Sequence, residues 1–166
     1  MKKEKKLSES LEDYLEVILE LENTMKVARA KDIAEKTGVQ RGSVTSALKN
    51  LEEKKLINYA PYSFITLTDK GRKIAGEISL RHAVLKDFFI KILQIDEEAA
   101  ESTACRMEHA VDKKTLERLI QFFDFIHQCP RTGKDWLQNF IRQCSSGLPG
   151  VEACRKCINS CKINNG

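Results

Sequence analysis

The chain has 166 residues, of which 42% are hydrophobic and 31% are charged. This length predicts one or two small domains rather than a large enzyme, and the composition predicts a folded soluble protein rather than a disordered one. The formal net charge of +4 permits nucleic-acid binding without establishing it. We find no signal-peptide pattern and no run of roughly 18 apolar residues, so we expect a cytoplasmic protein without a membrane span.

The first part of the chain predicts three helices, two of which form a helix-turn-helix. Leucine and isoleucine recur at helical spacing over about 10–24. A short helix at about 30–36 ends before Gly38, which suits the left-handed residue of a tight turn, and a second helix follows at about 40–54. The apolar residues expected to hold the pair together are Ile33, Ala34, Val39, Val44, Leu48 and Leu51.

A β-hairpin is predicted directly after these helices, where a winged helix carries its wing. Its strands are expected at 56–60 and 64–67, joined by a turn at 61–63. Thr68 then caps a helix that runs towards Phe89. The remaining predicted helices lie at about 96–110, 113–127 and 134–144.

The predicted fold is mainly α, with a winged helix-turn-helix, an all-α domain and a cysteine-rich tail. We expect the winged-helix domain at 1–70, the helical domain at 71–144, and the tail at 145–166. From Ser145 onward the sequence is rich in glycine, asparagine and cysteine, and no secondary structure is predicted there.

The second helix of a helix-turn-helix enters the major groove, so its exposed face should carry short polar groups and cations. Such residues are present on this helix, in the segment before it and at the wing tip. The candidate DNA-binding residues are Arg29, Lys31, Gln40, Arg41, Ser43, Thr45, Ser46, Lys49 and Tyr62. The alternative is an ordinary solvated helix face.

A candidate metal-binding motif lies at Cys105, Glu108 and His109, whose spacing of i, i+3 and i+4 places all three on one helix face. Asp13 and Glu16 have the same three-residue spacing on the first helix. His82 lies on the helix after the wing. Mixed O, N and S donors favour a divalent transition metal over a structural zinc site, which normally uses only cysteine and histidine. The alternative is a set of ordinary core and surface residues.

The winged helix, the histidine on the helix after it and the Cys105–Glu108–His109 motif, in this order along the chain, resemble the diphtheria-toxin-repressor family of iron- and manganese-dependent regulators. The resemblance covers roughly residues 8–128. It is carried by SLEDYLEVILEL, VARAKDIAEKTGVQRGSVTSALKNLEEKKLI, ITLTDKGRKIA, RHAVLKDFF and ACRMEHAVD.

The resemblance implies a homodimer built from the helices after the wing and bound to a palindromic double-stranded DNA operator, without a membrane partner. It also implies that a metal ion acts as corepressor by adjusting the first helix and the DNA-binding domains. Positions that contribute to metal binding in the family correspond here to Asp13, Glu16, His82, Cys105, Glu108 and His109.

The sequence combines two patterns within that family. Manganese-type members have an acid at the place of Asp13, as this chain does, but they usually have a carboxylate at the place of Cys105. Iron-type members have the cysteine, but they have a methionine at the place of Asp13. Because thiolate favours softer or later metals than Mn²⁺, we expect Fe²⁺ first and Mn²⁺ next. Glu101 falls near an ancillary site of some members, but Lys86 replaces an acid of that site.

The tail departs from the short members of the family through its cysteines. Four thiolates can hold Zn²⁺ or an iron–sulfur cluster, so a second metal or redox sensor is one hypothesis. A tail with reduced thiols and a tail with disulfides are the alternatives. The cysteines concerned are Cys129, Cys144, Cys154, Cys157 and Cys161.

Two other functions compete with a metal-dependent repressor. In the first, the protein is not a regulator but a metal-dependent enzyme in which Glu108 acts as a base. Nothing else in the sequence marks a substrate pocket, so we expect no enzyme activity. In the second, a winged-helix regulator senses redox state, zinc or an iron–sulfur cluster through its C-terminal cysteines.

Overall fold

The structure is a computed structural model that describes residues 7–60, 63–128, 138, 140 and 141. Its elements in chain order are α1 (Glu9–Met25), α2 (Ala30–Thr37), α3 (Arg41–Glu53), β1 (Ile57–Asn58), β2 (Thr66–Leu67), α4 (Asp69–Asp87), α5 (Glu97–Met107) and α6 (Lys113–Gln128). A π-helical turn, Phe88–Ile92, follows α4. Among the described residues, no helix is both long and apolar enough to span a membrane.

The core of the N-terminal part is built on α1. Leu11, Leu15, Ile18 and Leu21 recur at helical spacing, and all four side chains are buried. Burial of each such side chain contributes roughly 1.5–3 kcal/mol relative to exposure. The helix ends at Met25, because the next residue, Lys26, has a left-handed φ of 68° that breaks the helical hydrogen-bond pattern.

Helices α2 and α3 form the predicted helix-turn-helix. Gly38 ends α2 with a φ of +68°, which confirms its expected role in the turn. Ile33, Val44, Leu48 and Leu51 are fully buried between these helices and α1. The prediction was wrong for Val39, which remains 38% exposed because it lies in the turn outside the packed faces.

The wing is present, but its strands are shorter than predicted. Only Ile57 pairs with Leu67 and Asn58 with Thr66, in antiparallel register. Ile65 leaves the hairpin ladder because its backbone N–H donates to the carbonyl oxygen of Ala28, at 2.9 Å. The returning strand of the wing is therefore tied, just before its paired residues, to the segment between α1 and α2.

The start of α4 is fixed by a side-chain cap and a close backbone contact. The hydroxyl of Thr68 accepts the N–H of Gly71 at 3.1 Å, which confirms the predicted cap. A Cβ on Gly71 would lie 1.9 Å from the carbonyl oxygen of Leu56. Only glycine therefore lets α4 approach the chain entering the wing this closely.

Glu22, in the last two turns of α1, joins that helix to the wing and to α4. Its Oε1 accepts the N–H of Leu67 at 3.0 Å, and its Oε2 accepts a bond from the Arg72 guanidinium at 2.7 Å. The Glu22 carboxylate is largely buried, so these charge-assisted bonds replace the water that it loses. The second wing strand is thereby fixed to α1.

The described residues fall into two compact units: those within Met1–Ala83 and Ala104–Asp112, and those within Val84–Thr103 and Lys113–Gly166. In the second, the Phe88 and Phe123 rings meet edge to face with their centroids 5.7 Å apart. α5 ends three residues before the predicted 110. Of the predicted helix at 134–144, only residues 138, 140 and 141 are described, and these are helical.

Candidate metal centre and nucleic-acid interface

Three segments bring acidic and imidazole side chains together within the first compact unit, which includes Ala104–Asp112. α1 contributes Asp13 and Glu16, and α4 contributes His82. Glu108 and His109 follow the last residue of α5 and are 0% and 7% exposed, although both are polar. A buried carboxylate and imidazole require polar partners, and the surrounding ligand-type side chains supply them.

The side chains form two overlapping groups that share one carboxylate. Asp13, Glu108 and His109 each offer a ligand atom within 4.8 Å of the other two, and so do Glu16, His82 and Glu108. Nε2 of His109 lies 2.9 Å from Oδ1 of Asp13 and 3.4 Å from Oε1 of Glu108. Glu108 is therefore the residue that the two groups share.

Carboxylates outnumber positive charges around the buried Glu108 and His109 side chains, and this shifts the pKa of both residues. The pKa of Glu108 is raised from its ordinary 4.5 to about 7. Burial is the largest cause and the charge of Glu16 adds to it, whereas His82 and His109 lower the pKa. Burial lowers the pKa of His109, but a hydrogen bond to Glu12 and the neighbouring carboxylate charges more than reverse this, so the net pKa is raised. Protons stabilise the cluster, and a cation can take their place.

One buried oxygen without a hydrogen bond is evidence for a cation at this position. Oε1 of Glu108 is buried and accepts no hydrogen bond from the described residues. Such an orphaned acceptor is costly unless an ion or water satisfies it. The converging donors are carboxylate oxygens and imidazole nitrogens, a set that suits divalent first-row metals such as Mn²⁺ and Fe²⁺. The residues present therefore fit a divalent metal ion.

Five of the six sequence-predicted metal ligands converge, and the sixth does not. The side chain of Cys105 is exposed and belongs to neither of the two groups. α5 ends at Met107, so Glu108 and His109 turn inward after the helix instead of continuing the face that carries Cys105. The role of Cys105 as a ligand stays a prediction.

Glu12 is the residue of this region that the sequence reasoning missed. Its side chain is buried, its Oε2 lies 2.9 Å from Nδ1 of His109, and the Arg81 guanidinium is 3.6 Å away. The available signal was positional: Glu12 lies three residues before Leu15, on the apolar face of α1. An acid on a buried helix face requires a partner.

Lys86 supplies a positive charge at the acids near the ancillary position suggested by the resemblance. Its Nζ lies 2.8 Å from Oε2 of Glu101 and 3.2 Å from Oε1 of Glu97. Hydrogen bonds to Glu101 and Glu97 raise the pKa of Lys86 above its ordinary value. An ammonium group of the chain itself therefore neutralises Glu101.

The candidate DNA-binding residues lie on the face of α3 that points away from the core. Gln40, at the N-cap, and Arg41, Ser43, Ser46 and Lys49 are exposed, and Thr45 is half-buried. Thr45 donates its hydroxyl to the carbonyl of Arg41 at 3.0 Å. The alternation of these polar residues with buried Val44 and Leu48 explains why one face is free to meet a ligand.

A hollow of about 660 Å³ lies between α3 and the wing. It is lined by Arg29, Ala30, Thr45, Lys49, Tyr59, Ser63 and Phe64. The guanidinium of Arg29 lies over the Phe64 ring, 5.2 Å from its centroid. This stacking places the positive charge of Arg29 beside the wing, and Lys49 contributes a second positive charge from α3. Lys31 is exposed on α2.

The remaining candidate residues lie outside the described residues. These are Tyr62 at the wing tip and the cysteines Cys129, Cys144, Cys154, Cys157 and Cys161. Zinc or iron–sulfur binding by these cysteines stays a prediction.

Two family models match most of the described chain. Residues 6–65 match the iron dependent repressor N-terminal DNA binding domain. Residues 68–137 match the iron dependent repressor metal binding and dimerisation domain. The first match contains α1 to β1, and the second contains α4 to α6.

Curated relatives extend over a similar part of the chain. A helix-turn-helix-type transcriptional regulator of Methanocaldococcus jannaschii is 35% identical over 119 residues, covering 71% of this chain and 95% of that protein. The transcriptional regulator MntR of Bacillus subtilis is 34% identical over 118 residues, covering 69% of this chain and 82% of MntR.

Solved structures show the same architecture. The manganese regulator SloR is 29% identical with a TM-score of 0.63, covering 69% of this chain and 54% of SloR. A manganese-dependent transcriptional repressor in complex with manganese is 28% identical with a TM-score of 0.64, covering 69% of this chain and 53% of that structure. The chain spans about half the length of these two proteins. By its domains and its relatives, it belongs to the diphtheria-toxin-repressor and MntR family of iron- and manganese-dependent, DNA-binding transcriptional regulators.

Proposed function

We propose that this chain acts as a homodimer that binds a palindromic operator when Fe²⁺ or Mn²⁺ occupies the centre around Glu108. The observation that carries the proposal is the sharing of Glu108 by two ligand groups within the unit that also contains the winged helix. Because its target is DNA, we place its action in the cytoplasm, as the sequence predicts.

The ligands we propose are Asp13, Glu16, His82, Glu108 and His109, with the orphaned Oε1 of Glu108 as central support. A bound divalent cation would supply the positive charge that these carboxylates lack. The five O and N donors suit both Fe²⁺ and Mn²⁺, whereas a thiolate from Cys105 would favour Fe²⁺. The exposed position of Cys105 does not support that preference, so we propose either metal as corepressor.

Repression would follow from a shift between conformations. Asp13 and Glu16 hold carboxylates of α1 near buried Glu108, and like charges at this separation disfavour the packed arrangement when no cation or proton offsets them. A metal favours the packed form only by binding it more tightly than the open form. Since Glu22 fixes the same helix to the second wing strand, the position of α1 also affects the wing.

On the DNA side, we propose that α3 enters the major groove and that the wing contacts the adjacent backbone. Arg41 and Gln40, at the start of α3, suit base edges, and Lys49 and Arg29 suit phosphates. Lys31, Ser43, Thr45, Ser46 and Tyr62 complete the proposed surface.

The dimer surface we propose includes α6. Phe122 and Phe125 are 43% and 54% exposed, which is unusual for large apolar side chains on an amphipathic helix. The domain matched over residues 68–137 is a metal binding and dimerisation domain. Two copies of the winged helix on one dimer would read two half-sites related by two-fold symmetry.

An anaerobic pull-down of genomic fragments tests the proposal, with Fe²⁺, Mn²⁺ or a chelator in parallel. We expect discrete fragments with a palindromic motif to be retained with metal and released by chelator. Retention of the same fragments with chelator would contradict metal-dependent repression. No enrichment in any arm would contradict operator binding itself.

A further inference from the structure

Glu12 is a buried carboxylate that belongs to neither of the two ligand groups. Its side chain is 8% exposed, and it is one of the buried residues of α1. A buried carboxylate is stable only with partners that offset its lost hydration. Those partners are the His109 ring and the Arg81 guanidinium, so Glu12 joins α1 to α4 and to the turn after α5.

The His109 ring faces a different carboxylate at each nitrogen. Nδ1 lies 2.9 Å from Oε2 of Glu12, while Nε2 lies 2.9 Å from Oδ1 of Asp13 and 3.4 Å from Oε1 of Glu108. A carboxylate oxygen accepts hydrogen bonds, so without a cation each ring nitrogen can donate to the carboxylate that it faces, Nδ1 to Glu12 and Nε2 to Asp13. Of these two acids only Asp13 is a proposed ligand, so a bound cation would replace the proton at Nε2 and leave the Nδ1–H bond to Glu12. Nε2 is then the nitrogen that a cation between Asp13 and Glu108 would use.

We propose that Glu12, held by Arg81, is the positioning carboxylate of the metal centre: it accepts the Nδ1–H of His109 and so presents Nε2 to the cation. The proposal rests on the metal-binding function proposed above. Hydrogen bonding at the second ring nitrogen fixes the tautomer and the ring orientation of a ligating histidine. The Arg81 guanidinium, 3.6 Å from the same Oε2 of Glu12, offsets the charge of this buried carboxylate.

The arrangement also distinguishes Glu12 from its neighbour Asp13. The two acids are adjacent in sequence but contact opposite nitrogens of the same ring. The Asp13 side chain is 48% exposed, whereas that of Glu12 is 8% exposed. Asp13 can therefore meet an incoming ion, while Glu12 supports the ring from inside the fold.

The test uses the full chain without DNA. We would compare Mn²⁺ affinity in wild type, Glu12→Gln, Glu12→Ala and Glu20→Gln, the last removing an exposed α1 acid paired with Lys36. We expect Mn²⁺ affinity to fall about 10-fold in Glu12→Gln and towards 100-fold in Glu12→Ala, the range typical of a carboxylate that supports a ligating histidine. Glu20→Gln should match wild type, and metal-free thermal midpoints identify variants that fail to fold.

A second readout separates ring positioning from general stability. In ¹⁵N-histidine spectra of protein loaded with Zn²⁺ as a diamagnetic probe, we expect His109 of wild type to be protonated at Nδ1 and ligated at Nε2. Glu12→Gln should alter these signals while the protein stays folded. Wild-type affinity and ring signals in a folded Glu12→Gln would overturn the proposal and leave metal binding intact. Failure of wild type to bind Mn²⁺ or Zn²⁺ would overturn the metal centre and this proposal together.

Discussion

Nδ1 of His82 lies 2.7 Å from Oε2 of Glu108, so an imidazole of α4 contacts a carboxylate that is 0% exposed. This contact lowers the pKa of Glu108, yet burial and the charge of Glu16 together outweigh it. The result is a carboxyl group that holds its proton close to neutral pH. The stability of the metal-free protein therefore depends on protonation of Glu108, at the position where a cation would bind.

The metal-free protein should lose stability as the pH rises. Because the pKa of Glu108 is raised from 4.5 to about 7 on folding, its contribution is fully present below pH 4.5 and is lost as the pH passes about 7. The raised pKa of His109 acts in the same direction. Denaturant unfolding in the presence of chelator, from pH 5 to 8 in roughly equal steps, measures this dependence.

Glu108→Gln is the matched control for this pH dependence. It keeps the shape of the side chain but removes its titration, so the loss of stability over the same window should be reduced. Saturating Mn²⁺ should oppose the loss in wild type, because metal binding requires deprotonated ligands and becomes tighter as the pH rises. An identical slope in Glu108→Gln would contradict the pKa assignment.

His109→Ala should abolish metal-dependent DNA binding while leaving the protein folded. His109 lies between Asp13 and Glu12, so its removal takes away a nitrogen donor and breaks the contact between α1 and the turn after α5. We expect the Mn²⁺ affinity to fall by more than about 100-fold, beyond the effect typical of a residue that only supports a ligand. Titration with Mn²⁺ and a DNA-binding assay would measure the two losses.

Cys105→Ser tests whether the predicted thiolate ligand contributes to metal binding in addition to the five converging donors. Since the Cys105 side chain is exposed and outside both groups, we expect a smaller loss of metal affinity than in His109→Ala. Co²⁺ substitution reports a thiolate ligand through its charge-transfer absorption. A strong band in wild type that disappears in Cys105→Ser would show that the thiolate binds, and it would restore the preference for Fe²⁺.

Arg41→Ala should weaken operator binding without changing metal affinity. Arg41 is exposed in the first turn of α3, where a side chain can reach base edges. Loss of a bidentate base contact costs about 1–3 kcal/mol. Fluorescence anisotropy at fixed salt measures the change, and Lys113→Ala on α6 controls for the loss of one positive charge. Parallel loss of Mn²⁺ affinity would contradict the separation of the two sites.

Gly71→Ala should destabilise the winged helix. The added Cβ would lie 1.9 Å from the carbonyl oxygen of Leu56, a contact that only backbone movement can relieve. We expect a loss of about 1–3 kcal/mol in the free energy of unfolding. Gly76→Ala in the same helix is the matched control, because its Cβ meets no described atom within 4 Å and alanine favours a helix by about 0.5–1 kcal/mol. Equal effects of both substitutions would contradict this explanation.

Much of the fold followed from periodicity and turn chemistry. The helical spacing of apolar residues in α1 and the glycine at position 38 predicted elements that the structure contains. The wing strands were predicted too long because Ile65 pairs with Ala28, a contact between residues 37 positions apart that no local pattern encodes. The end of α5 was misplaced for a similar reason: helical spacing continues to His109, but the helix does not.

For the candidate centre, the sequence identified residues whose donor types and local spacing are informative. It grouped Asp13 with Glu16 and placed Glu108 next to His109, and the structure brings these together with His82. Glu12 was missed because its role depends on a histidine 97 residues away. The exposure of Cys105 likewise depends on where α5 ends.

Glu22→Ala should weaken the effect of metal on DNA binding. The substitution removes the acceptor for the Leu67 N–H and the partner of Arg72, both of which tie α1 to the wing region. Metal affinity without DNA should stay near that of wild type, while the metal-dependent gain in operator affinity, typically 5- to 150-fold for coupled sites, should decrease. Comparing operator affinity with Mn²⁺ and with chelator measures this gain, and Glu20→Ala is the surface control. A full gain in Glu22→Ala would show that the coupling does not pass through this contact.

A single helix of 17 residues, α1, carries two of the five proposed ligands, Asp13 and Glu16, and also the acceptor for the wing, Glu22. Asp13 and Glu22 are separated by about 13 Å along its axis, given a rise of about 1.5 Å per residue. A substitution that tilts or lengthens α1 to suit a different ion would displace the wing as well. We therefore expect substitutions in α1 that alter metal preference to alter operator affinity as well.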